Sequence, residues 1–564
     1  MTHRSIQNHL LVQGGRVVDG TGSPPVRADV RIADGRVVEI GPDLRPDGER
    51  VVDADQAFVA PGFIDSHTHF DASLFWDASC DPMPQHGVTS VVIGNCGLSL
   101  APLVPQARKE LVDVFAYIED LPVAAFDSAV PWTWEGVAGW REALAERSPS
   151  VNVASFVGMI PLRLSVMGTD AWERPATPDE RRQLAELLDA SMAAGAIGLS
   201  TSFFDTDATG RPVPSRAADD DELAALFDVL ASRSGVFEFL PDLTIRDRIR
   251  DIERVAAIAG PRGVTCTFNG LYHESGRPDR VHRMLDRCDE MLAGGVSMHP
   301  QFSPRSLEIR VNWNGGMAFY NLAETWHRVL QADADGKRRL LSDDSWRASA
   351  RAEWDATRPT LFPYRSPELI KLRSAVEADD QRWVGRLFAD LLAERGGHPS
   401  DAMADWVLAN DLNPDVIGMA ANTDPAGIAE AMAHPSVVIS NSDAGAHLQM
   451  MAATGDTTLL LTRHVRDRGD LTVEAAVHHL TARQSAVFGL GDRGVLAPGR
   501  PADIAVFALE EMHFDDEEFV NDVPGGTGRM RRPAGGVRTT IVNGDVVQQQ
   551  GVLTGAGPGT MLGT

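Results

Sequence analysis

Two histidines separated by one residue are the first feature of this chain that could do chemistry. They lie in residues 61–70, Pro-Gly-Phe-Ile-Asp-Ser-His-Thr-His-Phe, where an apolar pair follows a Pro-Gly turn. We predict a short buried strand that ends at these histidines. Because side chains alternate along a strand, His67 and His69 point the same way and can bind one divalent metal. The alternative is two ordinary surface or core histidines.

A cysteine and an aspartate follow two other predicted strands. The apolar run 88–93 leads to Cys96, and the run 437–440 leads to Asp443. A thiolate at Cys96 can bind a metal, although its position alone also allows a buried inert cysteine. Asp443 could bind the metal and move protons, and it could also cap the next helix. A metal that polarises a carbonyl and lowers the pKa of water would make this set hydrolytic.

The composition is that of an ordinary globular protein, with 43% hydrophobic and 23% charged residues among 564. A net charge of −27 argues against nucleic acid or an anionic membrane surface as a partner. Four cysteines in so long a chain do not indicate a disulfide framework, so we expect a reducing, cytoplasmic setting. No signal peptide and no run of 18 apolar residues is recognised, so we predict neither targeting nor anchoring.

The middle of the chain alternates strand-like and helical runs. Eight candidate strands begin with the one before His67 and continue at 88–93, 152–158, 194–199, 235–240, 264–268, 296–299 and 437–440. A predicted helix, 178–193, carries Thr177 as N-cap and Glu180 three residues later, a capping box. Eight strands alternating with helices predict an α/β fold, a (β/α)8 TIM barrel. Chemistry in such barrels lies at the carboxyl ends of the strands.

Both ends of the chain contain short strands bounded by turns, and neither end is large enough to bury a core alone. We therefore predict one small β-sandwich built from residues 1–62 and 490–564, with the catalytic barrel at 63–489 between them. The stretch from about 307 to 434 is too long for one βα unit and is predicted to be an insertion, a possible lid.

Several motifs together resemble the amidohydrolase superfamily and, within it, the D-aminoacylase (N-acyl-D-amino-acid deacylase) group. These are the runs that begin at Gly15, Ala60, Gly94, Leu162, Arg174, Gly195, Ser442 and Arg493. The resemblance implies a barrel flanked by a β-sandwich, zinc held by His67, His69 and Cys96, and Asp443 as acid and base. It also makes Cys96 a favoured ligand.

The chain departs from that family at strands 5 and 6, where the family supplies metal-binding histidines. Strand 5 reads Val-Phe-Glu-Phe-Leu and strand 6 reads Thr-Cys-Thr-Phe-Asn, with no histidine in either. Glu238, His299 and His447 could compensate, although each fits a structural or substrate-contacting role better. His447 follows Asp443 by four residues and would share its face of a helix. Even without Glu238, His299 and His447, four ligands remain for a single Zn²⁺ ion: His67, His69, Cys96 and Asp443. We therefore expect one bound ion and not two.

The substrate is expected to be a small molecule. The family binds the free carboxylate of an N-acylated D-amino acid, so Arg305 and Arg163 are candidates, and either could instead be a surface or salt-bridged residue. The insertion carries Trp313, Trp326, Trp346 and Trp354. These could form a lid over an apolar acyl group or pack the insertion's own core.

We predict a metal-dependent hydrolase of linear C–N bonds, with homo-oligomerisation possible. One alternative is a cyclic-amide hydrolase or a non-hydrolytic lyase or decarboxylase on the same scaffold. An alternative of another class is a metal-poor, non-catalytic homologue that works as a binding protein, which the missing histidines favour. The intact His-x-His pair, Cys96 and Asp443 oppose it.

Overall fold

A computed structural model describes residues 9–243, 248–274, 277–313, 324–356, 365–440 and 442–563. In chain order, the described strands are β1 (Leu10–Val17), β2 (Val26–Ala33), β3 (Arg36–Gly41), β4 (Arg50–Asp53), β5 (Phe58–Pro61), β6 (Phe63–Asp65), β7 (Val88–Ile93), β8 (Asn152–Gly158), β9 (Gly198–Ser202), β10 (Val236–Leu240), β11 (Thr265–Phe268), β12 (Met298–Pro300), β13 (Leu307–Asn312), β14 (Ile370–Leu372), β15 (Asp415–Ala421), β16 (Ile504–Phe507), β17 (Glu518–Val523), β18 (Thr527–Arg531), β19 (Thr539–Val542), β20 (Asp545–Gln549) and β21 (Val552–Leu553).

The described helices, in the same order, are α1 (Arg108–Ile118), α2 (Val123–Ala129), α3 (Val137–Ala145), α4 (Met159–Met167), α5 (Pro178–Ala193), α6 (Asp220–Arg233), α7 (Ile249–Ala259), α8 (Pro278–Ala293), α9 (Glu324–Gln331), α10 (Ala334–Ser342), α11 (Asp344–Asp355), α12 (Phe388–Arg395), α13 (Pro399–Ala409), α14 (Pro425–Met432), α15 (Asp456–Leu459), α16 (Val473–Leu480) and α17 (Ala482–Phe488). Within the described ranges, each helix is too short or too polar to cross a membrane.

Seven parallel strands, β6 to β12, form the central sheet in chain order. Residues 437–440 and 442–444 contact both of its edges. Val438 N donates to Pro300 O at 2.9 Å, and His69 N donates to Ala444 O at 2.7 Å. The sheet therefore curls until its first and last strands share one neighbouring segment. All seven strands are almost wholly buried, as expected where helices cover a parallel sheet.

Two of the predicted barrel strands differ in the structure. The strand predicted at 194–199 is β9, which begins only at Gly198. The residues before it form the turn that follows α5, in which Ala196 N donates to Ser191 O. The run 437–440 is not a regular strand. Its Ser440 N donates to Val438 O at 3.0 Å, a local bond that removes it from the ladder, and Val438 alone bridges to Gln301.

Strands from both ends of the chain share one nine-stranded sheet. The ends meet where β5 pairs antiparallel with β16, with Val59 opposite Val506. Side chains from both ends, such as Val30 and Ile504, are fully buried in one apolar cluster beside this sheet. The strands of one chain end are too few to bury these side chains alone. This is the physical reason why the two chain ends share one sheet. A two-layered sandwich at this place stays a prediction.

The segment between β12 and α14 has its own small sheet, in the order β13–β15–β14, and its own apolar core. Residues 314–323 and 357–364 of the predicted insertion lie outside the described residues. The four tryptophans singled out above are all at most 5% exposed and belong to that core. They therefore pack the segment itself and do not line the site as an aromatic lid.

The predicted capping box of α5 is confirmed. Thr177 Oγ1 accepts from Glu180 N at 3.3 Å, and Glu180 Oε2 accepts from Thr177 N at 2.8 Å. The helix begins at Pro178 and ends at Ala193, the bounds predicted from the sequence.

We expect Thr177→Ala to destabilise the first turn of α5 by about 1 kcal/mol, because it removes the acceptor for the Glu180 amide. Hydrogen exchange of that amide should accelerate about fivefold, while Thr177→Ser, which keeps the hydroxyl, should leave it unchanged. Equal exchange rates in the alanine and serine variants would contradict a stabilising cap.

Candidate metal and catalytic site

Three potential metal ligands converge at the carboxyl ends of the first two barrel strands. One donor atom from each of His67, His69 and Cys96 lies within 4.8 Å of the other two, and all three side chains are buried. Cys96 Sγ lies 3.5 Å from His67 Nε2. The two imidazoles follow β6 on the same side, with ring centroids 5.3 Å apart, as strand alternation predicts. The structure thus brings these three predicted ligands together.

Asp443 contacts both imidazoles through one oxygen. Its Oδ1 lies 3.4 Å from His67 Nε2 and 3.2 Å from His69 Nε2. Burial acts to raise the pKa of Asp443, but the hydrogen bonds from these two imidazoles outweigh it and hold the pKa well below its usual range. The carboxylate is therefore ionised at neutral pH and available as a ligand or a base.

Asp443 and His447 are not on a helix, contrary to the expectation for residues four apart. Both have left-handed backbones, with φ of 66° and 50°, and the next helix, α15, begins only at Asp456. Asp443 therefore does not cap that helix. The turn nevertheless brings His447 Nε2 to 3.8 Å from Asp443 Oδ2, so the two side chains remain neighbours.

Gln301, which follows β12, fixes the orientation of His67. Its Oε1 lies 2.7 Å from His67 Nδ1, and its Nε2 donates to Thr267 Oγ1 at 3.1 Å. Because the amide nitrogen is used by Thr267, the amide oxygen accepts the Nδ1 proton of His67. When His67 is neutral, its lone pair therefore lies on Nε2 and faces Cys96 and Asp443, the tautomer that a metal ligand requires. Nε2 donates to Asp443 only when the imidazole is protonated.

Glu119 is a buried carboxyl group that the sequence did not single out. Its Oε1 lies 3.3 Å from His69 Nδ1, and its Oε2 lies 3.8 Å from His447 Nε2. Burial and the neighbouring charge of Asp443 raise the pKa of Glu119 well above its usual value. It follows directly after α1, and no residue pattern there marks a site.

Glu238, one of the candidates to compensate for a missing ligand, contacts the backbone of the cysteine loop. Its Oε2 accepts from Cys96 N at 2.8 Å, whereas its Oε1 is buried without a hydrogen-bond partner. Burial raises the pKa of Glu238 to about 7. Asn269, which follows β11, also reaches this place: its Nδ2 lies 3.3 Å from both His67 Nε2 and Cys96 Sγ. Asn269 thus lies at the end of strand 6, where the family resemblance leads one to expect a histidine.

His299 does not join the cluster. Its ring nitrogens lie 3.1 Å from Ser297 Oγ and 3.1 Å from Ser436 O, two positions that precede their strands. The imidazole therefore points toward the amino ends of the strands, away from the carboxyl ends where the other donors meet. This placement differs from the prediction that His299 replaces a missing metal ligand or contacts the substrate.

The two candidate arginines are held by carboxylates of the protein. Arg163 is fully buried and paired with Glu222, which is the salt-bridged alternative given above. Arg305 lies closer to the site, with its Nε 2.9 Å from Asp456 Oδ1 and its Nη2 2.9 Å from Ser442 O. Arg305 thus fixes the residue before Asp443, and its contact with a substrate stays a prediction.

One cavity is lined by Asp443, and a second cavity, bordered by Gly445 and Ala446, shares Met451 with it as a wall. The first is lined by Tyr272, Ser303, Arg305, Ser306, Leu307, Asp443 and Met451. The second has a largely apolar face that includes Phe70, Trp76, Leu448, Met451, Val523 and Met530. The β17–β18 hairpin closes the second cavity, because Met530 N donates to Leu448 O at 2.6 Å and Arg529 pairs with Asp81 at 3.0 Å.

The donor set suits a zinc-like cation. Imidazole nitrogen, thiolate sulfur and carboxylate oxygen are the groups that bind such ions. Burial raises the pKa of the Cys96 thiol, and the nearby carboxyl groups of Glu238, Asp443 and Glu119 raise it further. A bound cation would offset this accumulation of negative charge and stabilise the thiolate. Asn269 Oδ1 is buried without a hydrogen-bond partner, as in a polar pocket shaped for an additional group.

The chain is similar to known proteins over most of its length. A family model described as the amidohydrolase family matches residues 50–239 and 387–548. An uncharacterized protein of Mycobacterium tuberculosis is 30% identical over 97% of this chain and 92% of its own length. A D-aminoacylase of Alcaligenes xylosoxydans xylosoxydans is 28% identical over 98% of this chain and 97% of its own.

A solved structure of N-acyl-D-glutamate deacylase from Bordetella bronchiseptica, in complex with zinc and a phosphonate that mimics the tetrahedral intermediate, has a similar fold. The TM-score is 0.67 at 24% identity, and the match covers 99% of this chain and 100% of the other. At this identity the likeness establishes the shared fold.

We expect cobalt bound to the protein to show a thiolate-to-metal charge-transfer band, because Cys96 Sγ lies among the donor atoms. Cys96→Ser should abolish the band. Cys288→Ala, which changes a buried cysteine of α8, should retain it and serves as the matched control. A band that persists in the Cys96 variant would remove Cys96 from the ligand set.

Proposed function

The chain belongs to the amidohydrolase family, and on that basis we propose that it is a metal-dependent hydrolase of a linear amide C–N bond. The observation that carries this proposal is the convergence of His67, His69 and Cys96 with Asp443 in contact with both imidazoles. The substrate class proposed is a small N-acylated compound, an N-acyl-D-amino acid in particular. A relative similar over nearly the full length of both chains is a D-aminoacylase.

His67, His69, Cys96 and Asp443 would hold the ion, and the proposal is one Zn²⁺. When bound, such an ion polarises a substrate carbonyl and lowers the pKa of water. The protein's own contribution is orientation. Gln301 sets the tautomer of His67, and Glu238 holds the loop of Cys96 through its backbone amide.

Asp443 is suited to move the proton because its two oxygens face different neighbours. Oδ1 faces the imidazoles, while Oδ2 lies 3.8 Å from His447 Nε2. The low pKa of Asp443 keeps its carboxylate ionised, which is the state that can accept a proton from water and return it to the leaving nitrogen. Burial lowers the pKa of His447, so this imidazole is neutral and can accept a hydrogen bond or relay that proton.

The two cavities that share Met451 offer a substrate one largely apolar wall and one polar wall, and the polar wall includes Asp443. The apolar wall at Leu448, Met451 and Met530 would contact the acyl or side-chain group. The first cavity places Tyr272 and Arg305 beside Asp443, where a substrate carboxylate could bind.

We propose the remaining architecture as predicted from the sequence: a (β/α)8 barrel at residues 63–489 with an insertion at about 307–434. A β-sandwich would be formed by residues 1–62 and 490–564. Homo-oligomerisation and a cytoplasmic location stay predictions.

The protein should release free amino acid from N-acetyl-D-amino acids, and Asp443→Asn should lower kcat/KM by about 10²–10⁴-fold. The amide cannot accept the proton of water, which accounts for this loss. Assays on the L-enantiomers, cyclic amides and aromatic acids in parallel distinguish a linear-amide hydrolase from the cyclic-amide, lyase and decarboxylase alternatives.

The matched control is Asp71→Asn. Asp71 is a fully buried carboxyl group near the same strand end, and it accepts from Gly94 N at 3.2 Å instead of contacting the imidazoles. Burial raises its pKa to about 7, so an amide resembles its partly protonated state, and turnover should be retained. Near-normal turnover by the Asp443 variant would contradict its role as acid and base.

A further inference from the structure

Asn269 lies at the carboxyl end of β11 and reaches the centre of the donor cluster. Its side chain is 6% exposed, and its Nδ2 lies 3.3 Å from both His67 Nε2 and Cys96 Sγ. Both of these atoms are potential metal ligands. In His67 the available nitrogen is Nε2, because Nδ1 is bonded to Gln301. The amide of Asn269 therefore touches two ligand atoms at once.

The oxygen of the same amide is buried without a hydrogen-bond partner. An unsatisfied buried acceptor costs about 1–3 kcal/mol, so its presence needs a physical reason. The oxygen and nitrogen of an asparagine amide exchange places when the amide rotates by half a turn, and the two orientations occupy the same space. One orientation donates N–H to the imidazole and the sulfur, and the other presents oxygen to them.

A cation that accepts the lone pairs of His67 and Cys96 would repel an N–H group pointing toward it. It would attract the carbonyl oxygen, which is a ligand for hard and intermediate divalent ions. The half-turn thus places the orphan oxygen against the ion, turns the N–H group away from it, and adds one neutral donor to the four ligands named above.

We propose that the carboxamide oxygen of Asn269 is a direct ligand of the divalent ion, contributed by strand 6 of the barrel. This inference rests on the proposed function, because it assumes that the cluster binds a metal. A neutral donor also fits the local charge. Glu119, Glu238 and Asp443 already surround Cys96, and a further carboxylate would add to their mutual repulsion.

The test is titration of chelator-treated protein with Co²⁺ and with Zn²⁺, following heat and the visible cobalt spectrum. Asn269→Leu, which is similar in size but has no donor, should weaken binding about 10–100-fold and change the cobalt ligand-field bands. Asn269→Asp, which keeps an oxygen at the same place, should bind more tightly than Asn269→Leu and retain the parental ligand-field pattern more closely.

The matched control is Cys266→Ala, a buried change on the same strand that should leave affinity and spectrum unchanged. Thermal melting verifies folding, and Asn269→Ala replaces the leucine variant if that chain does not fold. Binding by Asn269→Leu with parental affinity and spectrum would overturn the assignment of Asn269 while leaving the proposed function intact. Equal losses in the leucine and aspartate variants would also overturn it, because the N–H group would then be the essential part. A parent chain that binds neither ion would overturn the proposed function itself.

Discussion

The pairing of the first barrel strand's end with the turn at residues 442–445 is the constraint on which the site depends. Asp443 N donates to His67 O, and His69 N donates to Ala444 O, at 3.1 and 2.7 Å. These reciprocal bonds hold Asp443 between the two imidazoles. The turn approaches so closely that a Cβ on Gly445, whose φ is 88°, would lie 2.8 Å from the carbonyl carbon of His69. Only glycine suits that position.

The same place concentrates groups that are costly to bury. Cys96, Glu119, Glu238 and Asp443 surround two imidazoles, and several of their polar atoms have no protein partner. Proteins retain such unfavourable local arrangements chiefly where function requires them. A bound cation resolves the arrangement electrostatically, since it attracts each of the donors whose mutual proximity is otherwise unfavourable.

The parts of the fold and the site that the sequence predicts are those marked by patterns within a single strand or helix. The His-x-His pair follows from strand alternation, and α5 follows from its capping box, so both agree with the structure. His299 also lies at the end of a predicted strand, yet its ring points toward the amino ends of the strands. No pattern in the neighbouring sequence reveals that direction. Glu119, Gln301 and Asn269 were missed because they come from distant loops and strands and meet His67 or His69 only through the curl of the sheet. The turn at Asp443 is not recognisable from the sequence, because a spacing of four residues to His447 fits a helical face and does not report a left-handed backbone.

The central claim is that these donors bind one cation. The most direct measurement is the metal content of protein purified without chelators, determined by elemental analysis beside the His67→Ala variant. We expect about one zinc-like ion per chain in the parent protein and little in the variant. Parent protein that contains no divalent metal, and takes up none on dialysis against zinc, would contradict it.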